Sequence, residues 1–450
     1  MKETFKGIHR TKYFRLPIFF LILLILAFWG KPELAFAEQD STQTPASGQS
    51  ELAPKDTDEK YHTPLAGEPF QLEFLGRSIA IPARDRGNLT SLELGTTAYF
   101  PELADTAAAP LFALFLRRTW EKAQLRIVAS AFVNEVDGAR SFGHPEIVAR
   151  FENYTIPFSE KGFRRNEVVD ESAVKWGTLS GFLGAGLRYP VAPYQVDNDL
   201  RLQVLGRVGY LYSKKTSETG PDVKLPPDTM LYGVKLRGRY DGIRRNLLEL
   251  PHTGMAAGFN LDFVHRENWA DYGNAIITFP KDESQNYYIA SGYLMGVFGI
   301  PGLSEKNRLL ASVHGSYMDK KSADRYNATR LDGGPLAQER DDLARPNYPG
   351  ALDTVTLVSK YLLLNLEYRR ELLPFLYLEL RGAFIWGDRS TIIALNQIGF
   401  KSDKGQTAAV ALTSGFLWKS QLYIEYAWDT GFLRDGKAGS TVTFLWSKAF

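Results

Sequence analysis

Apolar and polar residues alternate with a period of two along much of the chain. This is the pattern of β-strands whose two faces meet different surroundings. In the clearest segments, every second residue is Leu, Val, Tyr, Phe or Trp, and many of the residues between them are charged. The alternation predicts that one face of each strand meets an apolar medium and the other a polar one. The charged positions in these segments include Arg201, Arg207, Lys235, Arg237, Arg239, Glu367, Arg369, Glu379 and Arg381.

Strand-length segments separated by turn residues recur from Phe70 to the end of the chain. We count about sixteen, an even number as in bacterial membrane barrels. The pattern therefore predicts an all-β fold, a transmembrane antiparallel β-barrel. The segments begin near Phe70, Ser91, Pro110, Ala123, Pro145, Trp176, Leu200, Met230, Gly254, Gln285, Lys306, Tyr361, Phe375, Thr407, Gln421 and Ser440.

The last segment, residues 440–450, gives the clearest indication of a membrane. Val442, Phe444, Trp446 and Phe450 share one face, and small or polar residues occupy the other. A soluble β-sandwich would bury such a face under a second sheet, whereas an outer-membrane barrel turns it to lipid. Lipid contact is the better explanation here, because the amino terminus of the chain, described next, has the features of a secretory signal peptide.

Residues 1–37 have the features of a secretory signal peptide. Basic residues precede an apolar run, which ends before an Ala35-Phe36-Ala37 cleavage site. Residues 38–66 are polar and without periodicity, which predicts a flexible periplasmic lead-in, and residues 67–450 would then form the barrel.

Composition excludes several other classes of protein. Without residues 1–37, the chain has 47 Lys and Arg against 49 Asp and Glu, a net charge of −2, so it is not a basic nucleic-acid-binding protein. It has no cysteine with which to form disulfides. Mean hydropathy is −0.22, and no long apolar run follows the signal, which excludes a bundle of transmembrane helices.

One turn motif consists of Tyr240, Asp241, Arg244, Asn246, Pro251 and Gly254. It resembles a turn of the BamA/TamA type of outer-membrane assembly and transport barrels. In that family, a strand ends in Tyr-Asp, and an Arg, an Asn and Pro-x-x-Gly precede the next strand. Asp and Asn suit such a turn because their side chains bond to nearby backbone, while Pro and Gly set its bends.

The resemblance implies sixteen strands, with a loop between the eleventh and twelfth that folds back into the lumen. Residues 319–360 occupy that place, and Arg340 follows a Gly333-Gly334 pair as an arginine does in the family. Asp341 and Asp342 stand where the family has Gly and an aromatic residue, a departure from its pattern. The family's periplasmic repeat domains are missing from this chain, so we expect a reduced member.

Two functions follow from these expectations. The first is insertion or translocation of protein or lipid clients at the outer membrane, with gating by residues 319–360. The final strand would then be both the signal read by the barrel assembly machinery and one side of a seam closed against the strand near Phe70. The second is a passive porin, whose basic lumen prefers anions.

An enzymatic function is a remote third possibility, and we predict that the protein is not an enzyme. The sequence indicates no metal site and no cofactor. The one catalytic candidate is His314 with Ser316, a pair on one strand face that an outer-membrane lipase would require, but this face is predicted to point into the lumen.

Overall fold

Sixteen antiparallel strands close into one barrel in the computed structural model, which describes residues 62–74, 76–334, 343–352, 355–394, 397–416 and 419–450. The all-β barrel predicted from the alternation is confirmed. The strands are β1 (Leu89–Leu103), β2 (Thr106–Thr119), β3 (Ala123–Ser130), β4 (Val133–Ser141), β5 (Pro145–Arg164), β6 (Glu167–Pro190), β7 (Asp199–Lys215), β8 (Thr229–Asp241), β9 (Pro251–Arg266), β10 (Asn286–Gly299), β11 (Asn307–Tyr317), β12 (Leu357–Leu373), β13 (Leu376–Ala394), β14 (Gln397–Phe416), β15 (Ser420–Asp429) and β16 (Gly439–Ala449).

Short elements lie between or before these strands. A two-stranded hairpin, Phe70–Phe74 with Arg77–Ile81, precedes the barrel. Arg244–Arg245 and Thr329–Arg330 extend the pairing of β9 and β12, respectively. The loop between β9 and β10 contains the pair Tyr272–Gly273 with Thr278–Phe279 and one helical turn, Lys281–Ser284. Among the described residues, no helix is long and apolar enough to cross a membrane.

Two of the predicted strands require correction, although the total of sixteen is right. The segment at Phe70 belongs to the separate hairpin and not to the wall, which begins at Leu89. The predicted set also lacks β4, whose residues Val133–Ser141 pair with both β3 and β5. Only Val133, Val136 and Ala139 are apolar in β4, so its alternation is too weak to mark a strand.

The alternating faces take opposite sides of the wall. Leu362, Leu364 and Leu366 point outward and are 41–54% exposed, whereas Glu367 and Arg369 point inward and are 1–3% exposed. Because exposed apolar side chains recur on nearly every strand, the outer surface suits lipid, while charged side chains fill the interior.

The strand ends define two unlike rims. The turns between β12 and β13 and between β2 and β3 are short, and they lie at the end where β1 begins and β16 finishes. Residues 216–228, 267–285 and 318–356 form the long connections at the opposite end. In bacterial barrels, short turns face the periplasm and long loops the exterior, so the two ends are assigned accordingly.

The barrel closes where β16 pairs with β1, and we call this pairing the seam. It runs from Ser440 opposite Phe100 to Ala449 opposite Ser91, and the Phe450 amide donates to the Thr90 carbonyl at 2.8 Å. The expected closure near Phe70 is therefore wrong, because the true first strand begins at Leu89. Val442, Phe444 and Phe450 of the final strand are 37–65% exposed on the outer surface, and Trp446 is half-buried on the same face.

Candidate functional site: the long loop inside the lumen

The connection between β11 and β12, residues 318–356, enters the barrel, and we call it the long loop. Its described parts are residues 318–334, 343–352 and 355–356. Leu331 and Tyr348 are fully buried in an apolar cluster with side chains of β1, β12 and β13. Leu343 lies lower, in a buried apolar cluster that also contains Ile243 of the turn between β8 and β9. The long loop therefore reaches from the outer rim toward the periplasmic half.

An ion pair holds the first part of the long loop at the outer end. Arg266, the last residue of β9, donates two hydrogen bonds to the Asp324 carboxylate, at 2.6 and 3.2 Å. Trp269 and Tyr287 lie against the guanidinium, with ring centroids 4.1 and 4.7 Å away. Tyr272 donates to the same carboxylate at 2.9 Å. All of these side chains are buried, so the pair is shielded from water and from salt.

Arg381 on β13 holds the deeper part of the long loop. Its Nη1 donates to the Gly334 carbonyl at 3.0 Å, and its Nη2 donates to Asn347 Oδ1. Asn347 in turn donates to the Gly334 carbonyl at 2.9 Å, which joins the two sides of the long loop. The anchoring charge is thus on the wall, and the long loop contributes neutral acceptors.

The wall surrounds Arg381 with carboxylates. Arg381 bonds to Glu425 on β15 and lies 3.7 Å from Glu367 on β12. Arg369 bonds to Glu367 and also donates to the Pro251 carbonyl at 2.6 Å. Glu379 accepts from Thr413 at 2.8 Å. Two arginines and three carboxylates therefore form one buried network, in which each arginine stabilises more than one carboxylate.

Arg340, predicted to be a lock in the lumen, lies outside the described residues. The other predicted lumenal charges lie on the inner wall. Arg201 donates to Asp199 at 2.6 Å, Lys235 lies 3.5 Å from Asp262, and Arg207 donates to Ser180 at 2.8 Å. Arg237 and Arg239 line a cavity of about 80 Å³ near the periplasmic end. The basic rows are therefore part of a mixed-charge lining.

The predicted turn motif forms a compact turn between β8 and β9. The buried Asp241 carboxylate accepts from the Ile243 amide at 3.1 Å and from Arg245 at 2.9 Å. Asn246 Oδ1 accepts two backbone amides, each at 3.0 Å. Gly254 has a φ of +111°, and a Cβ there would lie 2.2 Å from the Gly242 carbonyl oxygen, so only glycine fits. Tyr240 is half-buried, the Arg244 side chain is exposed, and Pro251 begins β9.

This turn contacts the end of the predicted lead-in. The Ala66 amide donates to the Arg245 carbonyl at 3.0 Å, and the Leu247 amide donates to the Pro64 carbonyl at 2.9 Å. Thr63 donates to Glu371 on β12 at 2.7 Å. Residues 62–66, predicted to be flexible, are therefore bound across the periplasmic mouth by backbone hydrogen bonds.

A second contact at the same mouth is ionic. Arg86, just before β1, donates to both oxygens of Glu249, at 2.9 Å each, and lies 3.9 Å from Asp197. Burial alone would raise the pKa of Asp197, but Arg117, Arg245 and Arg86 hold that pKa well below its usual value. Asp197 is therefore ionised at neutral pH.

His314 and Ser316 both face the lumen, as predicted. The His314 ring stacks on Tyr293 with centroids 5.7 Å apart, and Ser316 lies within hydrogen-bonding distance of Thr329, at 3.3 Å. The contacts of the described residues do not join the two side chains. Within the same part of the chain, no group of His, Asp and Glu is arranged to hold a metal ion.

Sequence reasoning did not identify Asn347, Tyr348 or Asp429 as site residues. Tyr348 donates to the Asp429 carboxylate at 2.7 Å, which joins the long loop to the end of β15. An Asn-Tyr pair in a polar loop has no periodicity, and Asp429 resembles an ordinary turn residue at a strand end. Only their distance in the folded chain distinguishes them.

Comparisons with known proteins concern the fold. No protein-family model matches the chain, and no curated protein matches it. Among solved structures, BamA from Haemophilus ducreyi lacking POTRA domains 1–3 is 11% identical, with a TM-score of 0.44, and the match covers 85% of this chain and 75% of that one. CdiB from Acinetobacter baumannii is 10% identical, with a TM-score of 0.49 and coverage of 86% and 66%. The toluene transporter TodX from Pseudomonas putida is 7% identical, with a TM-score of 0.32 and coverage of 81% and 89%.

At these identities the likeness concerns the barrel architecture alone. The closed barrel of this chain and its exposed apolar outer face together define where the protein resides. The chain is a sixteen-stranded antiparallel β-barrel of the bacterial outer membrane.

Proposed function

We propose that the protein inserts or translocates protein or lipid clients at the outer membrane by exchanging strand pairing at its seam, without covalent chemistry. The observation that most supports this proposal is the long loop in the lumen, tied to the wall by Arg381 and Arg266. A barrel whose interior is occupied in this way is poorly suited to free diffusion. Its remaining route for large clients is sideways, through the wall.

The seam is the natural place for such a route, because it joins the first and last strands of the barrel, which no turn connects. Pairing runs over residues 91–100 of β1 and 440–449 of β16. Simple separation would break about ten backbone hydrogen bonds, each with a net value of roughly 0.5–1.5 kcal/mol, so its cost is on the order of 5–15 kcal/mol. Unpaired backbone in lipid would raise this cost further.

Exchange lowers that cost because an incoming strand replaces the lost hydrogen bonds as they break. Addition of a strand to an exposed sheet edge is a general mode of peptide recognition. A client β-strand, or an amphipathic segment on its way to the membrane, can use the same backbone groups of β1 or β16. Client proteins and lipids are thus the partners of this proposal.

A disulfide across the seam tests the proposal directly, since the chain has no native cysteine. The Thr97 and Thr443 hydroxyl oxygens lie 3.0 Å apart across the seam, inside the barrel. A Thr97→Cys/Thr443→Cys variant, reconstituted in liposomes, should lose client insertion when oxidised and regain it on reduction. The measurement is the protease-protected fraction of an unfolded outer-membrane protein added from outside.

The matched control places the same bridge within the wall. Ala409 and Ala427 are buried partners on β14 and β15, away from the seam. An Ala409→Cys/Ala427→Cys variant should insert clients equally well when oxidised and when reduced. Full activity of the oxidised seam variant would refute lateral exchange.

The porin function is the competing hypothesis, and planar-bilayer conductance distinguishes the two. The rows of Arg and Lys would favour anions if the lumen were open. A steady anion-selective conductance in the wild-type protein would favour the porin. A closed or flickering channel that opens when Arg381 is replaced would favour the proposal made here.

A further inference from the structure

One buried arginine joins both strands of the seam at their outer end. Arg434, in the connection between β15 and β16, donates from Nε to the Pro101 carbonyl of β1 at 3.1 Å. Its Nη2 donates to the Ser440 carbonyl of β16 at 3.0 Å. The side chain is fully buried. Since Ser440 and Phe100 form the outermost pair of the seam, Arg434 bonds to the edge at which separation from the outside would begin.

The turn that presents Arg434 is folded around Asp429. One carboxylate oxygen of Asp429 accepts the Gly431 amide at 2.9 Å and the Leu433 amide at 3.2 Å. The Arg434 amide then donates to the Gly431 carbonyl at 3.2 Å. Gly439 leaves room for the guanidinium, because a Cβ at that position would lie 2.5 Å from Arg434 Cζ. The position of Arg434 therefore depends on Asp429.

The long loop contacts this same carboxylate. Tyr348 donates to the second oxygen of Asp429 at 2.7 Å, and Tyr348 and Asp429 are 0% and 2% exposed. The Tyr348 ring lies 5.9 Å from that of Phe432, and both belong to the cluster that also contains Tyr99 of β1 and Leu433. The long loop thus supports the turn through one hydrogen bond and through apolar packing.

A second approach of the long loop is to β16 itself. Gly350 has a φ of +83°, and a Cβ there would lie 2.7 Å from Thr441 Oγ1. The backbone of the long loop consequently covers the inner face of β16 one residue below Ser440. Withdrawal of the long loop would uncover this face and remove the hydroxyl donor from Asp429.

We propose that Tyr348, Asp429 and Arg434 form a clasp through which the long loop keeps the outer end of the seam closed. This inference rests on the proposed function, since it specifies what controls the opening of the same seam. Movement of the long loop out of the lumen loosens the turn at residues 429–434, and the turn then releases the carbonyls of Pro101 and Ser440. The element that operates the clasp is the long loop of the same chain.

Hydrogen exchange of the full-length protein in detergent micelles, followed by mass spectrometry, tests the clasp. In Tyr348→Phe, which removes only the hydroxyl, amides of residues 440–444 and of the facing part of β1 should exchange on the order of tenfold faster, as expected for a lost hydrogen bond to a charged acceptor. Amides of residues 445–449 should not change, because the clasp acts at the outer end. Arg434→Gln should accelerate the same amides.

Tyr361→Phe is the matched control. Tyr361 is buried in the same apolar cluster but lies on β12. Its substitution should therefore leave the hydrogen exchange of β16 unchanged. Gel mobility without heating verifies that each variant is folded, and Arg434→Lys replaces Arg434→Gln if the latter does not fold.

Two results would overturn the clasp. If Arg434→Gln accelerates exchange and Tyr348→Phe does not, the long loop does not control the seam. If neither substitution accelerates exchange, Arg434 does not hold the outer end of the seam closed. Both results are independent of the disulfide assay, in which loss of client insertion on oxidation still measures the proposed function by itself.

Discussion

Replacing Arg381 should release the deeper part of the long loop at a large cost in stability. Arg381→Gln removes the guanidinium that bonds to Glu425, Asn347 and the Gly334 carbonyl. It also leaves Glu367, Glu379 and Glu425 with a single arginine, Arg369, in their network. Removal of one partner from a buried ion pair costs about 3–5 kcal/mol, most of which reflects the carboxylate left without its counter-charge.

A second substitution separates the charge from the anchor. In Arg381→Gln/Glu425→Gln the uncompensated carboxylate is gone, so about 1–3 kcal/mol of the lost stability should return. The anchor of the long loop is still missing in this double variant. Stability should therefore recover while the release of the long loop persists.

Two measurements follow the loss of stability and the release of the long loop separately. Urea unfolding, monitored by gel mobility or tryptophan fluorescence, gives the change in free energy of unfolding. Hydrogen exchange of residues 343–352 reports whether the long loop leaves the wall. The reasoning would be refuted if Arg381→Gln were as stable as the wild type and exchange in the long loop were unchanged.

Three other variants or conditions test separate parts of the structure. Gly254→Val should disrupt the turn between β8 and β9, because its side chain would collide with the Gly242 carbonyl at a positive φ, and the yield of folded barrel on refolding should fall sharply. Asp324→Asn should weaken the outer anchor by about 3 kcal/mol, because Arg266 is left buried without its counter-charge, and proteolysis of the outer loops should accelerate while the barrel stays folded. Asp435 gives a dependence on pH: burial acts to raise its pKa, but the Arg165 amide and Arg389 outweigh burial and hold the pKa below 3.8. Because its pKa is lower in the folded than in the unfolded protein, ionised Asp435 stabilises the fold at pH values above the unfolded-state pKa, and this stabilisation is lost as the pH falls through the folded-state pKa. Hydrogen exchange in the outer loops should therefore rise below about pH 3.8, and Asp435→Asn should abolish that rise.

The outer surface and the class of fold follow from the alternation along the chain. Residues such as Leu364 and Val442 face outward because a strand points alternate side chains to opposite sides, and a one-residue shift would expose Glu367 to lipid. That constraint is local in sequence. Strands can therefore be predicted wherever the alternation is strong. The prediction fails for β4, which has few apolar residues, and for the hairpin at Phe70, which is an isolated pair of strands.

The candidate site was only partly predictable. Arg381 and Glu367 were identified as lumenal charges because of their positions on alternating strands, and the motif at Asp241 and Asn246 was identified by its turn chemistry. Their partners could not be identified in the same way. Glu425 is 44 residues from Arg381, and the pairing exists because β13, β14 and β15 bring the two side chains to the same level of the lumen.

By itself, the sequence determined a barrel with an apolar exterior, a charged interior and a long loop between its eleventh and twelfth strands. Only the tertiary structure decided that the long loop enters the lumen, that Arg381 holds it from the wall, and that Tyr348 contacts Asp429 and thereby the seam. The physical reason is that strand faces are set by neighbours two residues apart, whereas a loop finds its partners through closure of the whole sheet. The register between strands, which sets those partners, exists only in the closed barrel.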